Sequence, residues 1–164
     1  MKILWAPWRM EYVLSGDEGD GCIFCPGDNR ENDEERLILY VGSKSVILMN
    51  KYPYNNAHLL VAPKRHLPGL DQLSPEESLD LLLKVRSSID ILKRLMSPEG
   101  FNVGLNLGRV AGAGVAEHMH FHIVPRWSGD TNYMTVFSDV RVIPEHIRET
   151  YGKLKSHFME ISDS

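Results

Sequence analysis

The sequence predicts an α+β domain with an antiparallel sheet of about five strands, one long internal helix and a C-terminal helix. Several short runs have strand composition, whereas one internal stretch alone has the length and apolar periodicity of a long helix. Strands and helices do not alternate along the chain, as they would in a doubly wound parallel sheet. We therefore expect an antiparallel sheet with its helices packed on one face.

The strands are predicted from short apolar runs bounded by turn residues. Gly42-Ser43-Lys44 suits a hairpin turn between the first two strands, and Pro63 closes the third. The charged run at 28–36, before the first strand, predicts a solvated loop. The predicted strands are 37–41, 45–50, 58–62, 101–107 and 117–126, followed by an extended segment at 133–142.

The long helix has a clear start and end in the sequence. Ser74 is a cap residue, Pro75 takes the first helical position, and Glu76 and Glu77 face the positive end of the helix dipole. Apolar residues at helical spacing continue to about residue 96, and Pro98-Glu99-Gly100 ends the helix. Pro144 opens a C-terminal helix through about residue 158, and a short helix is predicted near 8–14.

Size and composition indicate a single domain spanning residues 1–164. A hydrophobic content of 43% allows a proper core, and a formal net charge of −4 argues against a general nucleic-acid binder. The N-terminus does not resemble a signal peptide, and we find no stretch of membrane-spanning length. These observations predict a cytoplasmic protein with reduced cysteines and no membrane partner.

Three histidines at every second position are the most informative feature. His118, His120 and His122 project from one face of a strand, because side chains alternate with a period of two. The intervening residues are apolar and can pack in a core. Three neighbouring imidazoles on one face indicate metal binding or catalysis, because burying them is otherwise costly. The alternative is an exposed polar strand face.

The two cysteines of the chain form a Cys-x-x-Cys pair, Cys22 and Cys25. This spacing lets two thiolates reach one tetrahedral zinc ion, and supplies half of such a site. A thioredoxin-type redox pair is an alternative, although it needs a βαβ setting that the sequence does not show. Two incidental cysteines are the other alternative.

A glycine-rich loop, residues 108–114, directly precedes the histidine strand. Its three glycines allow backbone amides to approach a phosphate closely and to form an anion-binding nest. Such a loop is usually just a turn, but its position before the histidines favours phosphate binding. Asn106, Gly112 and Gly114 are candidate phosphate contacts, and Arg109 is either a contact for a polyphosphate or a solvated side chain.

The histidine strand resembles the signature of the histidine triad (HIT) family of nucleotidyl hydrolases and transferases. Further matching segments are Asn50-Lys51-Tyr52-Pro53, Ala57-His58-Leu59-Leu60-Val61, Pro63-Lys64-Arg65-His66, Asn106-Leu107-Gly108 and Ala111-Gly112. The resemblance covers about residues 20–128 and implies a HIT-like fold. The extensions at 1–19 and 129–164 resemble a narrower branch, the bacterial diadenosine tetraphosphate phosphorylases.

The resemblance implies a division of labour among the histidines. A neutral His120 can attack the α-phosphorus of a nucleotide and form a covalent nucleotidyl-histidine. His122 can donate a hydrogen bond to the phosphate or leaving oxygen, and His58 orients the triad or is a structural histidine. Asn50 is expected to bind ribose, and Trp127 to line the pocket or a partner subunit.

The resemblance also implies the rest of the metal site. By position, His66 and His118 match the histidines that bind zinc with a Cys-x-x-Cys pair in related proteins. A Cys₂His₂ set is closed, so the zinc ion is expected to be structural. No organic cofactor is expected.

The expected reaction is phosphorolysis of diadenosine tetraphosphate to ADP and ATP, with inorganic phosphate as second acceptor. Alternatives are a dinucleoside polyphosphate hydrolase, a nucleoside phosphoramidate hydrolase, a zinc hydrolase with metal-bound water, and a nucleotide-binding module without turnover. Many relatives carry Gln followed by Ser or Thr in the glycine-rich loop, where this chain has Ala113-Gly114-Val115. The family further implies a homodimer or a higher homo-oligomer.

Overall fold

A computed structural model describes residues 21–130 and 143–163. It contains a five-stranded antiparallel sheet in the order β1-β2-β3-β5-β4. The elements are β1 Ile38–Val41, β2 Ser45–Met49, β3 Leu59–Pro63, α1 Pro75–Met96, β4 Gly100–Leu105, β5 Phe121–Arg126 and α2 Ile147–Met159. The predicted α+β fold is confirmed.

The sheet is covered on both faces. Helices α1 and α2 pack on one face and share the main core with alternate strand residues such as Leu39, Ile47 and Val61. The other face carries a smaller apolar cluster, in which Phe24 packs against the sheet. The segment with the cysteines therefore covers the face opposite the helices, and the functional side chains lie on that face.

Helix α1 begins as the sequence predicts. The Ser74 hydroxyl accepts a hydrogen bond from the backbone N–H of Glu77, and the Glu77 carboxylate accepts one from the backbone N–H of Ser74. This reciprocal capping box satisfies two amides that have no partner within the helix. The helix ends at Met96, and the residue that caps it, Ser97, has a left-handed φ of 46°.

Three expectations need correction. The regular strand begins at Phe121 rather than at 117, because the backbone N–H of Met119 donates to Leu67 instead of continuing the ladder. Helix α2 begins at Ile147, after His146 caps it. The run 28–36 is mostly exposed turns, but Arg36 at its end is half-buried and donates to backbone carbonyls of residues 22–26, the cysteine loop.

Two predicted elements, the short helix at 8–14 and the extended segment at 133–142, lie outside the described residues. Neither helix in the described part of the chain combines the length and apolar character needed to cross a membrane.

Candidate functional site

The alternation predicted for the triad is present in the structure. Met119 and Ile123 are buried in the main core, on the helix side of the sheet. His120 and His122 line a cleft on the opposite face, and the His118 side chain is fully buried beside the cysteine loop. The period-two pattern therefore separates the catalytic candidates from the core.

His120 is held in one tautomer. Its Nδ1–H donates to the carbonyl oxygen of His118 at 2.9 Å, because a carbonyl can only accept. The other ring nitrogen, Nε2, then carries a lone pair. Burial lowers the pKa of His120, and the side chain is only 5% exposed. His120 is therefore a neutral imidazole with an unprotonated Nε2, the form required of a nucleophile.

His58 and His122 form a directed hydrogen-bond chain. The backbone N–H of Tyr54 donates to Nδ1 of His58 at 3.0 Å, so the proton of a neutral His58 lies on Nε2. That Nε2–H donates to Nδ1 of His122 at 2.9 Å. A neutral His122 consequently carries its own proton on Nε2. The chain prepares His122 as a hydrogen-bond donor in the cleft.

The cleft has a volume of about 270 Å³ and one largely apolar wall. Leu37, Leu48 and Leu60 contribute apolar side chains, and Asn50 contributes a polar one. Gly112 and Gly114 place the glycine-rich loop at the same cleft. A mostly apolar cleft with a few polar groups suits a nucleoside and its phosphates.

The other predicted site residues lie farther out. Asn106 donates to the carbonyl oxygen of Gly112 at 3.3 Å, so it holds the glycine-rich loop. Arg109 is exposed on a 3₁₀ turn, and the Trp127 indole N–H donates to the carbonyl oxygen of Met96. Neither Arg109 nor Trp127 is among the described residues that line the cleft. The exposure of Arg109 agrees with a solvated side chain, and its contact with a polyphosphate and the contact of Trp127 with a partner subunit stay predictions.

The four predicted metal ligands lie together. One ligand atom from each of Cys22, Cys25, His66 and His118 lies within 4.8 Å of the others. Nδ1 of His118 is 3.3 Å and 3.7 Å from the two sulfurs, and Nδ1 of His66 is 3.5 Å from the Cys25 sulfur. Sulfur and nitrogen ligands of one tetrahedral zinc ion are about 3.6 Å apart. The donor set and its spacing therefore fit zinc.

The protonation pattern also favours a metal here. The Nε2–H of His118 donates to the carbonyl oxygen of Pro63 at 2.8 Å, which leaves the Nδ1 lone pair directed at the sulfurs. Without a cation, burial raises the pKa of the Cys22 thiol to about 11 and so disfavours its thiolate. A bound cation would reverse this effect, because a coordinating thiol is deprotonated outright.

Three residues at the site were missed by the sequence analysis. Phe24 stacks on the His120 ring at 4.4 Å between centroids, and Tyr54 lies 4.7 Å from the His58 ring. Arg36 lines the cleft and donates to backbone carbonyls of the cysteine loop. An aromatic residue between two candidate metal ligands could have indicated a role for Phe24. Arg36 could not be distinguished from the other charged residues of the run 28–36.

Comparison with known proteins shows the family to which the chain is similar. The HIT domain model matches residues 30–129, more than half of the chain. The chain is 38% identical over 157 residues to "AP-4-A phosphorylase" of Mycobacterium tuberculosis, covering 92% of this chain and 80% of that protein. It is 30% identical over 122 residues to the asymmetrical bis(5'-nucleosyl)-tetraphosphatase of Schizosaccharomyces pombe, covering 74% of this chain and 63% of that protein.

A solved structure agrees with the sequence relatives. The hypothetical histidine triad nucleotide-binding protein of Sulfolobus tokodaii superposes with a TM-score of 0.62 at 27% identity, covering 85% of this chain and 90% of that one. The family match, the relatives and the fold agree with the resemblance found in the sequence. The chain belongs to the HIT domain family.

Proposed function

We propose that this protein is a nucleotidyl transferase that converts diadenosine tetraphosphate and inorganic phosphate into ADP and ATP. The observation that carries the proposal is the His120 bond to the His118 carbonyl, which leaves Nε2 unprotonated at the cleft. The similarity to the mycobacterial phosphorylase supports the choice of substrate and acceptor.

In the first step, Nε2 of His120 attacks the α-phosphorus and the bond to the bridging oxygen breaks. ATP leaves, and AMP remains bound to Nε2. The His118 carbonyl keeps its bond to Nδ1–H and stabilises the positive charge that develops on the ring. His122, with its proton on Nε2, donates to the leaving oxygen.

In the second step, an oxygen of inorganic phosphate attacks the phosphorus of the nucleotidyl-histidine. The P–N bond breaks, ADP forms, and His120 regains its Nε2 lone pair. The Gly112–Gly114 stretch of the loop provides backbone amides at the cleft for these phosphates, in place of the side-chain donor of other members. Asn50 is proposed to bind ribose.

Zinc, when bound, would cross-link the cysteine loop to the segment that carries His118. Cys22, Cys25, His66 and His118 would hold it, and these four donors complete a tetrahedral shell. A closed shell has no position for a catalytic water, so this donor set does not support the zinc-hydrolase alternative.

A cytoplasmic location is also proposed, because the cysteine thiols that would hold the zinc stay reduced in the cytoplasm.

We also propose that the protein forms a homodimer. Strand β4 forms one edge of the sheet, with Val103 45% exposed, and α1 carries Leu79 and Leu82, each 60% exposed. Apolar surface of this kind suits a second copy of the chain. Sedimentation velocity tests this: a single-chain mass across the micromolar range would contradict the dimer.

Product analysis tests the reaction. Purified protein is incubated with diadenosine tetraphosphate, with and without inorganic phosphate, and the nucleotides are identified by chromatography. ADP and ATP that form only with phosphate would support the phosphorylase. AMP and ATP in both conditions would instead establish the hydrolase, the second candidate, which the similarity to the Schizosaccharomyces pombe tetraphosphatase favours. No turnover in either condition would contradict both.

A further inference from the structure

Phe24 connects the cysteine loop to the nucleophile. It lies between the two cysteines, and its side chain is fully buried. Its ring is 4.4 Å from the His120 ring with an angle of 24° between the planes, which is a stacked arrangement. The same ring is 5.3 Å from His118 at 54°. One aromatic side chain therefore contacts both the proposed nucleophile and a proposed metal ligand.

The loop that carries Phe24 is held from two sides. On one side, its two cysteines lie with His66 and His118 in the metal-binding arrangement. On the other side, the Arg36 guanidinium donates to the carbonyl oxygens of Pro26 at 2.9 Å, Ile23 at 3.0 Å and Cys25 at 2.8 Å. A loop with this many restraints can keep Phe24 in one position.

The hydrogen bond of His120 does not fix the ring by itself. The bond from Nδ1–H to the His118 carbonyl sets the tautomer and restrains one atom. The lone pair of Nε2 lies in the ring plane, so a tilt of the ring moves the lone pair out of line with the phosphorus. A stacked neighbour restrains that tilt. A misplacement of about 1 Å can cost about 100-fold in rate.

We propose that Phe24 is a positioning residue for His120, and that the cysteine loop, anchored by the metal ligands and by Arg36, fixes the plane in which the attacking lone pair lies. This inference rests on the proposed function for its kinetic consequence. According to this inference, the metal site affects the rate of the chemical step, through the orientation of His120, as well as the stability of the fold.

Phe24→Leu removes the ring and keeps an apolar side chain. The matched control is Phe158→Leu, because Phe158 is also fully buried but lies in the main core on the other face of the sheet. Both variants are first assayed for bound metal. We then measure the rate of nucleotidyl-histidine formation at saturating diadenosine tetraphosphate, and the dissociation constant of a non-hydrolysable analogue.

We expect Phe24→Leu to keep its metal and to form the covalent intermediate at least about tenfold more slowly, with the dissociation constant changed less than about threefold. Phe158→Leu is expected to keep the wild-type rate while losing stability. Weaker analogue binding with an unchanged saturating rate would overturn the inference, because Phe24 would then only contact the nucleotide. An unchanged rate and affinity would also overturn it.

A measurement without turnover separates this inference from the proposed function. In ¹⁵N-histidine NMR spectra of the zinc-loaded protein, His120 should show a single Nδ1–H tautomer with a slowly exchanging proton. Arg36→Gln and removal of zinc by a chelator both loosen the loop without removing the bond that sets the tautomer. They should broaden the ring-proton signals of His120 and shift them, because the stacked Phe24 ring no longer holds one position. An unchanged His120 signal in both samples would overturn the positioning role. Absence of a covalent intermediate in the wild-type protein would contradict only the proposed function.

Discussion

Nε2 of His58 lies 2.9 Å from Nδ1 of His122, and the backbone N–H of Tyr54 fixes the direction of the hydrogen bond between them. His58 is fully buried. The sequence left His58 between a structural role and an orienting role. The direction of the chain favours the orienting role, because it determines which nitrogen of His122 carries the proton.

We expect His58→Phe to lower kcat by about 10- to 100-fold with little change in KM, by analogy with removal of the hydrogen-bond partner of a metal-binding histidine. Phenylalanine keeps an aromatic ring but cannot donate to His122. Steady-state kinetics of phosphorolysis check this. His157→Gln, a half-buried histidine on α2, is the control and should retain wild-type kinetics. A KM effect with unchanged kcat would contradict the orienting role.

His120→Ala should abolish covalent turnover while nucleotide binding is retained. Removal of a nucleophile lowers kcat by more than about 10³-fold, because the covalent intermediate is proposed to form on Nε2 of His120. Intact-protein mass spectrometry of an acid-quenched reaction should show an AMP adduct in the wild-type protein and none in the variant. Isothermal titration with a non-hydrolysable analogue checks binding. An AMP adduct that persists in His120→Ala would place the nucleophile elsewhere.

The sequence predicts most of this fold because local patterns determine it. The capping box at Ser74 and Glu77 and the alternation around His120 depend on residues close in the chain, and the structure contains both. Arg36 and Phe24 were missed because their roles depend on contacts with loop carbonyls and with a ring that is distant in the sequence. Trp127 was predicted to line the pocket or a partner subunit, and within one chain its indole N–H bonds to the end of α1.

His66 offers the cleanest test of the metal site. It is the exposed member of the four candidate ligands, so His66→Ala removes a donor without opening a core cavity. We expect the wild-type protein to bind one zinc ion per chain, and the variant to bind zinc more weakly. Loss of this binding energy should lower Tm by about 5 °C or more.

Elemental analysis and thermal unfolding measure these two effects. Lys64→Ala changes an exposed neighbour that is not among the four donors, and should match the wild type. Excess chelator should lower the Tm of the wild type toward that of His66→Ala. Equal zinc content and equal Tm in wild type and His66→Ala would contradict a four-ligand site.

Glu77 should make stability depend on pH. Its hydrogen bonds from Arg65 and from the Ser74 backbone lower its pKa from 4.5 to about 2. The unfolded chain therefore takes up a proton near pH 4.5, before the folded protein does. The stabilisation is complete above that pH and is lost as the pH falls from 4.5 towards 2.

Glu77→Gln should destabilise the protein by up to about 1 kcal/mol at pH 7, because the amide oxygen can still cap Ser74 but the charged pair with Arg65 is lost. The difference from wild type should shrink as the pH falls from 4.5 towards 2. Urea unfolding at several pH values measures it. Asp90→Asn is the control, because it removes an exposed carboxylate from the same helix without touching the capping box. A Glu77→Gln difference that stays constant from pH 7 to 3 would contradict the lowered pKa.

Lys84 and Asp80 form a buried ion pair on α1. Each side chain is 1% exposed, and Lys84 Nζ lies 3.4 Å from the Asp80 carboxylate. Lys84 also donates to the carbonyl oxygen of Ser162, whereas the Asp80 oxygens have no hydrogen-bond partner within the described residues. The charge of Lys84 is therefore what compensates the buried carboxylate.

Lys84→Met should cost about 3–5 kcal/mol, because it leaves the carboxylate of Asp80 buried and unpaired. The double variant Asp80→Leu with Lys84→Met should recover most of that loss, since two apolar side chains of similar volume replace the pair. Urea unfolding of the wild type, Lys84→Met, Asp80→Leu and the double variant, all saturated with zinc, gives the coupling energy through a double-mutant cycle. If the double variant is as unstable as Lys84→Met, the loss arises from the Lys84 contact with Ser162 and from packing, and the unpaired carboxylate is not its cause.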